Sequence, residues 1–177
     1  MRKMASLKLV LKAWPVVFLL MVGTCLLTEA VAGWFGIDLP DQAAIDMVLK
    51  AHGWRLVYWI AAIVVVAPVL EELLFRFLAF KVPLWLLGRF ARRAATIAVA
   101  VVSSALFCAA HYLDPWSAQL RFTPLDNAFA ALFAFGLFQC WLYRRTNRIW
   151  APMLSHALFN LTNLVLLFVL PADLRLP

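Results

Sequence analysis

No Cys-x-x-Cys pair, no His-Glu-x-x-His, no Gly-x-Ser-x-Gly element and no internal repeat occurs in these 177 residues, and charged side chains make up 14% of them. Each absence removes a class of protein. Cys25, Cys108 and Cys140 all lie inside apolar runs without ligand-like spacing. A disulfide framework and a cysteine-based metal site are therefore not indicated, and the three read as packing residues. Ser103, Ser104 and Ser155 have no base-and-acid partner pattern, so a serine nucleophile is not indicated. No low-complexity tract or linker separates a second domain, and residues 1–177 read as one compact helical domain.

Apolar surface is abundant. Hydrophobic residues make up 66% of the chain and the mean hydropathy is +0.89, well above the roughly 45–50% apolar content of soluble domains. An all-α, polytopic integral membrane protein follows. The net charge of +7 would suggest nucleic acid in a soluble protein, but here the basic residues fall in short clusters between apolar runs. That is the positive-inside pattern, with no nucleic-acid partner implied.

About five spanning helices are expected. The first runs from Ala13 to about Phe35, after Arg2, Lys3, Lys8 and Lys12. A basic start and Ala30-Val31-Ala32 also resemble a cleavable signal, but the run continues through Trp34 and Phe35 and nothing downstream looks soluble. The acidic loop from Gly36 to Arg55, with a short interfacial helix near 41–50, reads as non-cytoplasmic. A second span from Leu56 towards Leu87 is too long for one perpendicular crossing, so it must tilt, kink near Pro68 or Pro83, or protrude. Arg89, Arg92 and Arg93 mark a cytoplasmic turn before a third span, Ala94 to His111. After a loop at 112–125, a fourth span covers about Asp126 to Tyr143. Arg144, Arg145 and Arg148 form a second basic turn, and the last span runs from Trp150 to Leu170. This order places the N-terminus in the cytoplasm, in a membrane of the bacterial inner (cytoplasmic) type.

Ionisable groups inside the apolar runs cost about 2.5–3.5 kcal/mol each on insertion and call for a use. Glu71, Glu72 and Arg76 crowd into six residues of the second span. Glu72 and Arg76 are i and i+4 on one helical face, while Glu71 points about 100° away. One acid can pair with the arginine while the other faces elsewhere, and two neighbouring carboxylates resist ionising together, which leaves one poised to exchange a proton. Phe107 and His111 share a face of the third span, with Ser104 a turn back. His156 and Asn160 share a face of the last, with Asn163 beside them. Taken singly, His111 also reads as an interfacial histidine, and His156, Asn160 and Asn163 as interhelical hydrogen-bonding groups. Together the three sets offer a base for water, an imidazole to orient it and donors for an oxyanion, which suits amide hydrolysis with water as nucleophile. The same Glu and His side chains, Glu71, Glu72, His111 and His156, are alternative ligands for zinc or another divalent metal.

Counting from the basic turns puts His156 about 9–12 Å deep and Glu71 or His111 about 25 Å deep. Tilted spans, a deeper start of the third span, or a second span protruding into the cytoplasm would bring them level.

The ordered motifs Glu71-Glu72-x-x-x-Arg76, Phe107-x-x-x-His111 and His156-x-x-x-Asn160, with the approach Leu142 to His156, resemble the CAAX protease and bacteriocin-processing (Abi) family of glutamate-type intramembrane proteases. The resemblance covers about residues 57–170. It implies an intramembrane endopeptidase in which Glu71 and His111 activate water, His156 and Asn160 stabilise the oxyanion, and Glu72 and Arg76 tune the site. No metal is firmly implied, and zinc stays open. Phe77 departs from the glycine many members carry after the arginine. The implied substrate is a protein or peptide with a membrane-associated segment, such as a prenylated or membrane-anchored chain, in contact with the bilayer. A non-catalytic peptide-binding or bacteriocin-immunity protein is the alternative. A proton or ion pathway would need polar residues in line at several depths, and the first and fourth spans offer little beyond Glu29 and Gln139.

Overall fold

A computed structural model of the chain describes residues 2–36, 48–90, 93–112 and 129–169. Five long helices make up these segments: α1 (Arg2–Trp34), α2 (Trp54–Leu87), α3 (Arg93–His111), α4 (Phe129–Thr146) and α5 (Trp150–Val169). No strand occurs among the described residues. The bounds lie close to the expected spans, although α1 begins well before Ala13 and α4 continues three residues past Tyr143. Most of the expected interfacial helix at 41–50, nearly all of the 112–125 loop, residues 126–128 and the tail lie outside the described residues.

Among the described residues, four helices are long and apolar enough to cross a membrane; α4 does not meet that measure. Its 18 residues end on Arg144, Arg145 and Thr146 and carry Gln139. The difference follows from position: α4 packs against α1, α3 and α5, and Ala131, Phe135, Gly136, Gln139, Cys140, Leu142 and Tyr143 are all buried. A helix wrapped by protein needs less apolar surface than one facing lipid. On α2, by contrast, Val66, Leu70, Leu74 and Leu78 are more than half exposed or close to it. Such a stripe is at home in hydrocarbon, where lipid rather than water is the solvent.

The length of α2 is absorbed by changes in its winding. Residues Ala62–Val66 and Leu73–Lys81 are π-helical, each running into an α-helical turn that begins Ala67-Pro68 or Val82-Pro83. The amide of Ala67 reaches back to the Ala62 carbonyl and that of Val82 to the Phe77 carbonyl, five residues instead of four. Proline lacks the N–H that the ladder requires, and local widening is one way a helix accommodates the loss. Both prolines sit where the sequence places a distortion. The reply is a change of pitch on either side of Glu71 and Glu72.

The helices meet in two layers that matter for the site. Val17 and Met21 of α1, Phe75 of α2, Phe107 of α3, and Ala131 and Phe135 of α4 form one buried cluster. Phe80, Cys140 and Tyr143 form another, flanked by Leu84, Val99, Ala100 and Ile149. Between α3 and α4 the approach is close: a Cβ on Gly136 would stand 2.9 Å from Ser104 Cβ and 3.0 Å from its Cα. Small residues at a crossing let membrane helices touch backbone to backbone.

Candidate active site

Depth counted from the basic turns misleads because those turns are not level. Phe80, Val99 and Ile149 share one packing layer. From that layer Glu72 is eight residues along α2, Phe107 eight along α3 and His156 seven along α5, so all three lie about 10–12 Å above it. The α2–α3 end extends about 6 Å past the α4–α5 turn, since Leu87 is seven residues beyond Phe80 while Thr146 is three beyond Tyr143 of the same layer. A protruding second span is therefore what brings the three motifs to one height.

At that height the charged groups form an inner and an outer shell. Glu72 and Arg76 are fully buried, with Arg76 Nε 3.0 Å from Glu72 Oε2. This contact is an ion pair without hydrogen-bond alignment. The guanidinium carbon also lies 4.5 Å from the centre of the Phe107 ring, a cation–π contact in a desolvated setting. On the other side of the carboxylate, His156 Nδ1 lies 3.0 Å from Glu72 Oε1. A carboxylate accepts, so Nδ1 carries the donated hydrogen and Nε2 points away from Glu72.

The outer shell is partly open. Glu71 and His111 keep 27% and 32% of their side-chain surface accessible, against 5% for His156. Glu71 Oε2 stands 3.9 Å from His111 Nε2 and 3.7 Å from His156 Nε2, beyond direct hydrogen-bonding distance from either. That oxygen is buried and has no hydrogen-bond partner among the described residues. His111 Nδ1 lies 2.9 Å from the Phe107 carbonyl, which can only accept. Both imidazoles thus turn Nε2 towards the same carboxylate oxygen, across gaps that suit one bridging molecule. Rings fix these orientations: Phe107 packs against His111 at 4.6 Å and His156 at 5.9 Å, and Phe135 against His156 at 4.9 Å.

Asn160 is tied to the winding of α2. Its Nδ2 donates to the Ile63 carbonyl at 2.8 Å. In the five-residue register that links Ala67 to Ala62, the carbonyl of Ile63 would pair with residue 68, which is Pro68 and has no N–H. Asn160 supplies the missing donor, and its amide retains a second N–H for a ligand. Asn163, a turn farther along α5, is half-buried.

Glu71, Glu72, Arg76, Phe107, His111 and His156 are thus drawn together from three helices, whereas Asn160, a turn beyond His156, is held at the Ile63 carbonyl, eight residues before Glu71 on α2. Other members of the constellation carry no sequence signal. Ser103 Oγ donates to the Phe75 carbonyl at 2.6 Å, and Gln139 Nε2 lies 3.5 Å from Ser155 Oγ, next to His156. Serine, glutamine and a core phenylalanine such as Phe135 are too common in membrane helices to mark a site without a contact map. Among the described residues, no group of three or more His, Cys, Asp and Glu side chains is arranged to hold a metal ion. Glu72 is already committed to Arg76 and His156, so the four alternative ligands do not form a ready metal cage.

No curated protein and no solved structure matches the chain. The family model for type II CAAX prenyl endopeptidase Rce1-like proteins matches residues 53–162, more than half of the chain, and this span contains every residue of the three motifs. A membrane helix bundle that gathers two glutamates and two histidines at one depth, matched over that length, is a CAAX-type intramembrane protease belonging to the type II CAAX prenyl endopeptidase Rce1-like family.

Proposed function

We propose that the protein is a glutamate-type endopeptidase in which Glu71 is the base that activates water. The observation that carries this reading is the buried Glu71 Oε2, without a hydrogen-bond partner among the described residues, set between the Nε2 atoms of His111 and His156. A water there donates one hydrogen to Glu71 and the other to a histidine, leaving a lone pair for the scissile carbonyl. Its oxygen bonds to the carbonyl carbon as its proton passes to Glu71. The carbonyl oxygen becomes an oxyanion, met by the free N–H of Asn160 and by His156 Nε2 when that atom carries a proton. Collapse breaks the C–N bond, and Glu71 returns its proton to the leaving amine, giving one new carboxyl and one new amino terminus. Glu72 and Arg76 do not touch the reacting atoms in this scheme. They hold His156 by its Nδ1 and keep the inner shell balanced in charge.

The substrate is a protein or peptide carried by the membrane, such as a prenylated or membrane-anchored chain, because Glu71 and His111 are partly open within a lipid-embedded bundle. The N-terminus lies in the cytoplasm of a bacterial-type inner membrane, a reading supported by the gathering of Lys8, Lys12, Arg144, Arg145 and Arg148 at one end, where Val10 packs with Leu142 and Ala151. Hydrolysis through a bound zinc ion is the competing route.

The test is cleavage of a lipidated peptide by protein in liposomes. Glu71→Gln is expected to remove cleavage, and chelator treatment to leave the wild type active. Cleavage retained in Glu71→Gln would overturn the assignment of the base; cleavage lost to chelator and restored by zinc would move the mechanism to the metal route.

A further inference from the structure

Below the Phe80–Tyr143 layer, and separate from the acids and histidines, lies a crevice of about 270 Å³ between the basic ends of α2 and α4. Lys81 and Trp85 line it from α2, Tyr143 and Arg144 from α4, and Asn147 from the turn that follows. Lys81 Nζ lies 5.0 Å from the Phe77 ring centre. The two cations are 63 positions apart in sequence and come from different helices, and no acidic side chain among the described residues lines the crevice.

Among the described residues no carboxylate pairs with them. No Asp or Glu occurs between Glu72 and Asp114 or between Asp126 and Asp173. Glu71 and Glu72 belong to the site above, and Glu29 is 19 residues along α1 from Val10, which packs at the basic end. That separation is about 28 Å along the helix axis. Two cations facing one cavity at the end of a membrane-embedded bundle, with no acid among the described lining residues, suit an anionic ligand. Trp85, 74% exposed, has the place and character of an aromatic anchor at the lipid interface. Basic pockets between helices at this depth suit the head groups of anionic lipids.

We propose that this crevice binds the phosphate of an anionic phospholipid, whose charge is held by Lys81 and Arg144 and whose acyl chains follow the lipid-facing side of α2. A choline head group brings its own cation towards the lysine and arginine, so a zwitterionic lipid is disfavoured although it contains the same phosphate. Because the bound lipid bridges α2 to α4, its binding free energy adds to the stability of the folded bundle.

The experiment measures the unfolding midpoint of the whole protein in neutral detergent with added phosphatidylglycerol, phosphatidylcholine or soluble glycerol phosphate, and counts retained lipid by native mass spectrometry. Phosphatidylglycerol is expected to raise the midpoint by several degrees over phosphatidylcholine and to remain bound. Lys81→Gln with Arg144→Gln is expected to lose both effects, while Arg145→Gln with Arg148→Gln, outside the crevice, keeps them. Both cations of the crevice are exposed, so their removal leaves the packed layers intact. Equal stabilisation by the two lipids, retention of the effect in the crevice variant, or equal loss in the control variant would overturn the proposal. So would glycerol phosphate stabilising as well as the lipid, since the ligand would then be a soluble phosphate.

Discussion

Glu71 and Glu72 are neighbours in sequence with opposite surroundings. Glu72 is sealed between Arg76 and His156, whereas Glu71 keeps part of its side chain accessible and holds one oxygen towards two imidazoles. Glutamine keeps the shape of each but removes the charge, so the two substitutions should fail differently. Glu71→Gln should lower the cleavage rate by about 10²–10⁴-fold, the usual worth of a general base, with little change in unfolding midpoint. Glu72→Gln leaves the Arg76 charge buried without its partner. Removing one member of a buried pair costs about 3–5 kcal/mol, so this variant should show a clear drop in thermal stability in detergent. Equal stability of the two variants would contradict the division into an inner and an outer acid. Phe107 is the hub for both shells, touching Arg76, His111 and His156. Truncation to alanine should cost about 3–5 kcal/mol and disturb both histidines, measured as lost stability together with lost cleavage.

At the scale of the helices, the winding of α2 and the crossing of α3 with α4 decide where those side chains point. Asn160 donates to the Ile63 carbonyl that Pro68 leaves without its ladder partner. Asn160→Ala should therefore destabilise the bundle by about 1 kcal/mol, the net worth of a part-buried hydrogen bond, quite apart from any loss of an oxyanion donor. Unfolding midpoints check the first effect; cleavage rates corrected for the folded fraction check the second. An unchanged midpoint would show that the Ile63 carbonyl finds another donor. Gly136→Ala places a methyl group against the Ser104 backbone, where no flexible side-chain end can move aside. Separation of α3 and α4 should cost about 1–3 kcal/mol and loosen the contact of Phe107 with Phe135, so stability and cleavage should fall together.

For the molecule as a whole, the gathering of basic clusters at one end of the bundle makes a topological prediction. A cysteine at Asn147, in the exposed α4–α5 turn, should react with a membrane-impermeant thiol reagent in inside-out vesicles and stay unlabelled in intact cells. Labelling in intact cells would reverse the orientation. Hydrophobic runs, basic clusters and two prolines were enough to read off helices, their approximate ends and the distorted second span, because hydropathy, charge bias and the missing proline N–H act locally along the chain. The motif spacings likewise determine that Glu72 shares a face with Arg76, Phe107 with His111, and His156 with Asn160, through the periodicity of a helix. Which heights those faces reach is not a local property. It depends on how far α2 and α3 project past the α4–α5 turn and on the packing layer of Phe80, Val99 and Ile149. The tertiary structure alone decided that Glu72 is the sealed acid and Glu71 the open one, because the imidazoles that distinguish them, His156 against Glu72 and His111 beside Glu71, come from positions 40 or more residues away.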